Sequence, residues 1–108
     1  MNLATEIFGD CIVVHTPEEL STDQTDELES FLVTLDPRNV VLDMDNTETL
    51  DSAGLTCLLN SQEQMLELGG NVKIATANAS TRKILEITRL DRQIEVFESV
   101  IDAVKSFQ

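Results

Sequence analysis

Apolar positions along this chain switch between a period of two and a period of about 3.6, the mark of strands alternating with helices. Thr5-Glu6-Ile7-Phe8 and Cys11-Ile12-Val13-Val14 are short β-type runs, and Gly9-Asp10 between them is a turn signal that predicts a hairpin. His15 follows as a strand-end residue, with no second His, Cys or activated Ser nearby in sequence to make it a catalyst, and Pro17 marks the exit. Ser21 or Thr22 can cap a helix in which Leu28, Phe31, Leu32 and Leu35 recur at i, i+3, i+4 and i+7, with Pro37 expected to end it. Asn39 to Leu42 is apolar on both faces and predicts a buried strand, as in a parallel sheet.

After a polar loop, Asp51 opens a helix that places Leu55, Leu58, Leu59, Met65, Leu66 and Leu68 mostly on one side and stops at Gly69-Gly70, a glycine C-cap. Val72 to Ala75 predicts another short strand. Asn78 or Ser80 starts a third helix with Ile84, Leu85 and Ile87, and Ile94 to Phe97 predicts the last strand. Ser99-Val100-Ile101-Asp102 has the capping-box pattern, and the helix it opens repeats Val100, Ala103, Val104 and Phe107 at helical spacing. The order ββαβαβαβα implies right-handed crossovers and a mixed, mostly parallel sheet packed with helices, an α/β fold.

At 108 residues the chain has room for one domain, residues 1–108, with one modest core. No apolar run approaches the roughly 20 residues of a membrane span, so no direct membrane partner is expected. The start, Met1-Asn2-Leu3-Ala4-Thr5-Glu6, lacks the basic residues and apolar core of a secretory signal, which predicts a cytoplasmic protein. Cys11 and Cys57 then sit among apolar neighbours as reduced, buried thiols, with no metal spacing around them. The net charge of −13 repels phosphate backbones and makes nucleic acid an unsuitable direct partner, while permitting a basic protein. Glu18, Glu19, Asp23, Asp26, Glu27 and Glu29 crowd one segment, either as a solvated helix surface or as a docking face.

The chemistry concentrates between Val40 and Leu55. Asp51 is the expected cap of the second helix, its carboxylate accepting from first-turn amides, and Ser52 falls on the first helical residue. A phosphate added to that hydroxyl would meet free amides and the positive end of the helix dipole. A plain structural cap and a modified serine both fit this spacing. Gly54 costs about 1 kcal/mol against Ala inside a helix, so its presence suggests that another backbone or a partner approaches closely.

Two families resemble this stretch. Leu42-Asp43-Met44-Asp45-Asn46-Thr47 is similar to the first motif of haloacid dehalogenase-type phosphatases, which would make Asp43 the nucleophile and Asp45 a general acid/base beside magnesium. Val72-Lys73-Ile74-Ala75-Thr76 resembles that family's second motif, and Lys83 stands as a candidate for its lysine. Against it, Glu48 stands where an apolar residue belongs, the two strands are too close in sequence, no downstream acidic pair follows, and there is no length for a cap region.

Val40-Val41-Leu42-Asp43-Met44 followed by Leu50-Asp51-Ser52-Ala53-Gly54-Leu55 resembles the signature of STAS domains, the anti-sigma-factor antagonist family. Gly69-Gly70-Asn71-Val72-Lys73-Ile74 resembles its helix-to-strand turn, and Ser80 through Leu90 with Ile94 to Phe97 its third helix and last strand, so the resemblance covers nearly the whole chain. It implies a non-enzymatic partner-switching protein without a cofactor. Ser52 would be the phosphoacceptor, and Asp51, Ser52, Ala53, Gly54 and Leu55 the partner-binding switch. The implied partners are an anti-sigma factor that is also a serine kinase, and a serine phosphatase. A second role within the same family is an unphosphorylated scaffold subunit of a sensory or transport complex. Glu18-Glu19-Leu20-Ser21 departs from the family's frequent Gly-Glu-Leu-Asp before the first helix, and Ala53 removes a second hydroxyl that some members carry.

Overall fold

The computed structural model describes residues 3–36 and 39–108. A five-stranded sheet runs in the order β1-β2-β4-β6-β7: β1 (Thr5–Phe8), β2 (Cys11–His15), β4 (Asn39–Asp43), β6 (Asn71–Ala75) and β7 (Val96–Phe97). β1 pairs antiparallel with β2 through the expected hairpin, and all other pairs are parallel. The register sets Ile12 beside Val40 and Val40 beside Val72, so successive strands point like residues to the same face.

Helices α1 (Thr22–Leu32), α2 (Ser52–Glu67) and α3 (Ala79–Ile87) contribute to one face, where Leu28, Leu32, Leu58, Met65 and Leu85 pack with Ile12, Val14, Val40, Leu42, Val72 and Ile74. Helix α4 (Val100–Lys105) covers the other face, its Ala103 and Val104 against Cys11, Val13, Val41 and Ala75. Every second residue of the strands therefore belongs to a different layer, as the pleat requires. Cys11 and Cys57 are both buried, free and on opposite faces.

A buried lysine joins the second layer. Lys73 projects from β6 toward the end of α4, where its ammonium donates to the Ser106 hydroxyl at 2.8 Å and lies 4.2 Å from the Phe107 ring centroid. Glu95 stands 3.6 Å away. A cation at a helix C-terminus meets the negative end of the dipole, and the aromatic face adds to it, so this polar side chain fastens α4 to the sheet.

Four sequence expectations are revised. A second, two-stranded parallel sheet is present, β3 (Glu19–Leu20) with β5 (Thr49–Leu50), in segments expected to be loops. Helix α1 ends at Leu32, before the expected terminator Pro37, which lies outside the described residues. The last strand is only Val96–Phe97, because Leu90–Arg92 forms a 3-10 turn entered through Arg89 at φ 61° and Ile94 is buried in the core ahead of the strand. Finally, Leu59 and Leu66 of α2, Leu68 at its C-cap, and Ile84 and Ile87 of α3 are exposed. A helix lying on a sheet buries an apolar arc little wider than about 100°, and in α2 that arc is taken by Gly54, Cys57, Leu58, Ser61 and Met65.

Candidate functional site

The Ser52 site stands at the C-terminal end of the parallel strands, where helix N-termini and loops converge in open α/β sheets. Asp51 is the N-cap of α2 with extended backbone, and its Oδ1 accepts the Gly54 N–H at 2.9 Å. Ser52 follows as the first helical residue and is exposed. Its carbonyl accepts the Thr56 hydroxyl at 3.0 Å.

Gly54 is buried under the small second sheet. A Cβ built on it would stand 2.3 Å from the Leu20 carbonyl oxygen and 2.8 Å from Leu50 Cδ1. The close backbone approach expected from the glycine is thus supplied from within the chain, by the fully buried Leu20 of β3. Leu55 is half-buried against the core, and Ala53 half-buried beside Ser52. The sequence reasoning missed this clamp, whose only signal was two leucines, Leu20 and Leu50, in otherwise polar stretches.

Two loops carry the clamp, and hydroxyl groups tie them together. Thr16 and Thr47 are buried with their Oγ1 atoms 2.6 Å apart, and Thr47 donates to the Pro17 carbonyl at 2.6 Å. The amides of Glu48 and Thr49 both donate to the Glu18 carbonyl. The departure Glu18-Glu19-Leu20-Ser21 is accommodated here: Ser21 caps α1, its N–H donating to Gln24 Oε1 at 3.3 Å.

Asp43 and Asp45 serve as loop acceptors. Asp43 Oδ1 accepts the Asp45 N–H at 3.1 Å, and Asp45 Oδ1 accepts the Ala77 N–H at 2.7 Å. The second Asp43 oxygen lies 2.8 Å from His15 Nδ1, while His15 Nε2 lies 2.8 Å from Glu6 Oε1. Both ring nitrogens thus face carboxylates and both donate only when the ring is a cation. The Glu6 hydrogen bond raises the His15 pKa most, burial opposes it, and the Asp43 bond and both charges add to the rise. Because the folded state holds the proton more tightly, this link stabilises fully below the free value of 6.5 and is lost as pH rises through the folded value. Urea midpoints measured upward from pH 6 are therefore expected to fall, and His15→Gln to flatten that part of the profile; an identical slope in the variant would show that another group titrates.

Beside Ser52 runs a shallow groove of about 350 Å³ between α1 and α2, lined by Thr25, Asp26, Glu29, Ser52, Ala53, Thr56, Cys57 and Asn60. Among the described residues its walls carry two carboxylates, Asp26 and Glu29, and no Lys or Arg. Cys57 at its base is pushed up to about 11, first by burial and then by the Glu29 charge, and its thiol points at the Thr25 carbonyl, 3.4 Å away. It is an unreactive packing residue.

Comparison with known proteins decides the family, since the STAS domain model matches residues 2–103. The chain belongs to the STAS domain family. A Thermotoga neapolitana protein named as an anti-sigma factor antagonist is 25% identical over 69 residues, 64% of this chain and 61% of that protein. The matched segment thus spans less than two thirds of that relative's length. A crystal structure of a Thermotoga maritima protein that is likewise only named as an anti-sigma factor antagonist superposes with a TM-score of 0.83 at 19% identity, covering 96% of this chain and 92% of the other. The Bacillus cell-fate determinant SpoIIAA in its phosphorylated form superposes at 0.72 and 12% identity, over 99% and 100% of the two chains. These STAS structures share the fold described above. Among the described residues, no helix is long and apolar enough to cross a membrane.

Proposed function

We propose that this STAS domain is a partner-switching regulator of the anti-sigma-factor antagonist type, controlled by reversible phosphorylation of Ser52. One observation carries the reading: Ser52 is exposed as the first residue of α2, directly after the Asp51 cap. In this reading the unmodified protein binds an anti-sigma factor that is also a serine kinase, the kinase phosphorylates Ser52, and a serine phosphatase resets it. Asp51, Ala53, Gly54 and Leu55 shape the surface around the hydroxyl. The naming of the Thermotoga relative and the fold shared with phosphorylated SpoIIAA support it.

The physical effect of the phosphate follows from the groove. First-turn amides and the helix dipole tolerate an anion locally, but about −1.5 to −2 charges would be added beside Asp26 and Glu29, with no cation among the lining residues. The fold persists while the surface a partner must meet changes in charge and shape. Incubation with the cognate serine kinase and ATP is expected to label one site, and Ser52→Ala to abolish the label while retaining partner binding. Labelling that survives Ser52→Ala would leave only the scaffold role.

The domain works by binding and not by turnover. Asp43 and Asp45 are committed to His15 and to backbone amides, so with magnesium the protein is expected to hydrolyse an aryl phosphate no faster than background. Turnover abolished by Asp43→Asn would overturn this.

A further inference from the structure

Helix α2 carries more apolar surface than the sheet can cover. At 100° per residue, its buried residues Gly54, Cys57, Leu58, Ser61 and Met65 occupy one arc. Leu59 and Leu66 occupy a second, separate arc on the solvent side, which Ser52 and Glu63 share, and the half-buried Leu55 lies at its edge, where it still packs on the core. Leu59 is 39% exposed and Leu66 56%, and both line a groove of about 420 Å³ with Gln62, Glu63 and Gln93. From Ser52 to Leu66 the stripe is about 20 Å long at 1.5 Å per residue and one side chain wide.

We propose that this stripe is the seat of an amphipathic helix of a partner protein, about four turns long, with an apolar face and basic flanks. It extends the partner surface at Ser52 and rests on the switch reading for that end only. A narrow, straight row of leucines at i, i+4 and i+11 matches the anchors of a helix laid in a groove. Charge selects the occupant. Glu63 stands inside the stripe and the chain carries a net charge of −13, so a second copy or an acidic helix is repelled and Lys or Arg flanks are attracted.

The probe is a synthetic amphipathic peptide of about 18 residues with leucines at helical spacing and lysines on its flanks, titrated into the isotope-labelled full chain and followed by amide chemical shifts. The expected shifts lie at Leu55, Leu59, Glu63 and Leu66, and a glutamate-flanked version binds at least about tenfold more weakly. Leu59→Ser with Leu66→Ser weakens binding at least about tenfold while the chain stays folded with only a slightly lower thermal midpoint, since both side chains are already partly exposed, and Ile101→Ser on α4, 66% exposed, leaves binding unchanged. Shifts centred on the acids of α1, no saturable shifts, or indifference to the paired leucine variant overturns the proposal. So does a self-association that Leu66→Ser dissolves in sedimentation equilibrium, which would assign the stripe to a second copy. Peptide binding that persists where no kinase labels Ser52 would leave the stripe and remove the switch; Ser52 labelling with peptide binding indifferent to Leu59 and Leu66 would do the reverse.

Discussion

Leu58→Ala is expected to lower the free energy of unfolding by about 2–5 kcal/mol, and Leu59→Ala, one residue on, to change it by no more than about 0.5 kcal/mol. The two leucines are chemically identical and differ in which side of α2 they occupy. Leu58 is fully buried in the core shared with β4 and β6, and Leu59 is 39% exposed. Truncating Leu58 removes its burial and leaves a cavity that a packed interior fills only partly. In a 108-residue domain, whose total stability is of the order of 5–15 kcal/mol, the Leu58 variant loses a large share. Urea titration of both variants checks this, and equal midpoints would show that α2 packs on another face.

Gly54→Ala is the second large effect. The new methyl would overlap the Leu20 carbonyl oxygen, a backbone atom within a paired strand, so relief requires β3 to move away from α2. Overpacking costs about 1–3 kcal/mol and sometimes more, and because the clash is with a backbone atom the upper part of that range applies, which outweighs the roughly 1 kcal/mol that alanine gains over glycine in a helix. The displacement would be local. Amide signals of Leu20, Thr49 and Leu50 are expected to shift most, and partner binding at the adjacent Ser52 to weaken. A variant with an unchanged midpoint and unmoved Leu20 and Leu50 signals would show that the two elements do not touch as described.

Much of this was legible in the sequence because the deciding signals are local. Asp51, Asn78 and Ser99 cap helices through side chains that accept from amides two or three residues on, a range within which sequence alone suffices. The hairpin at Gly9-Asp10 and the end of α2 at Gly69, whose φ is +85°, are equally local. The β3–β5 ladder was not legible: two residues per strand are too few to show a period, and its pairing joins positions far apart in the chain. The same holds for the His15 link to Asp43 and for the Thr16–Thr47 contact, which depend on parallel registration of β2 with β4. The α2 leucines misled for a different reason. Hydrophobicity marks Leu58 and Leu59 alike, and only the sheet's position tells which of two apolar arcs is covered. For the Ser52 site, the cap and the acceptor position were legible, while the acidic groove wall formed by Asp26 and Glu29 required α1 to be seated beside α2.

The central claim is that phosphate on Ser52 decides whether the partner binds. Isothermal titration of the kinase partner with unmodified protein and with protein phosphorylated stoichiometrically at Ser52 tests it most directly, because it needs no aspartate as a stand-in for phosphate. The account predicts affinity at least about tenfold weaker for the phosphorylated form, a difference of about 1.4 kcal/mol, with unchanged secondary structure. Equal affinities for the two forms would contradict it.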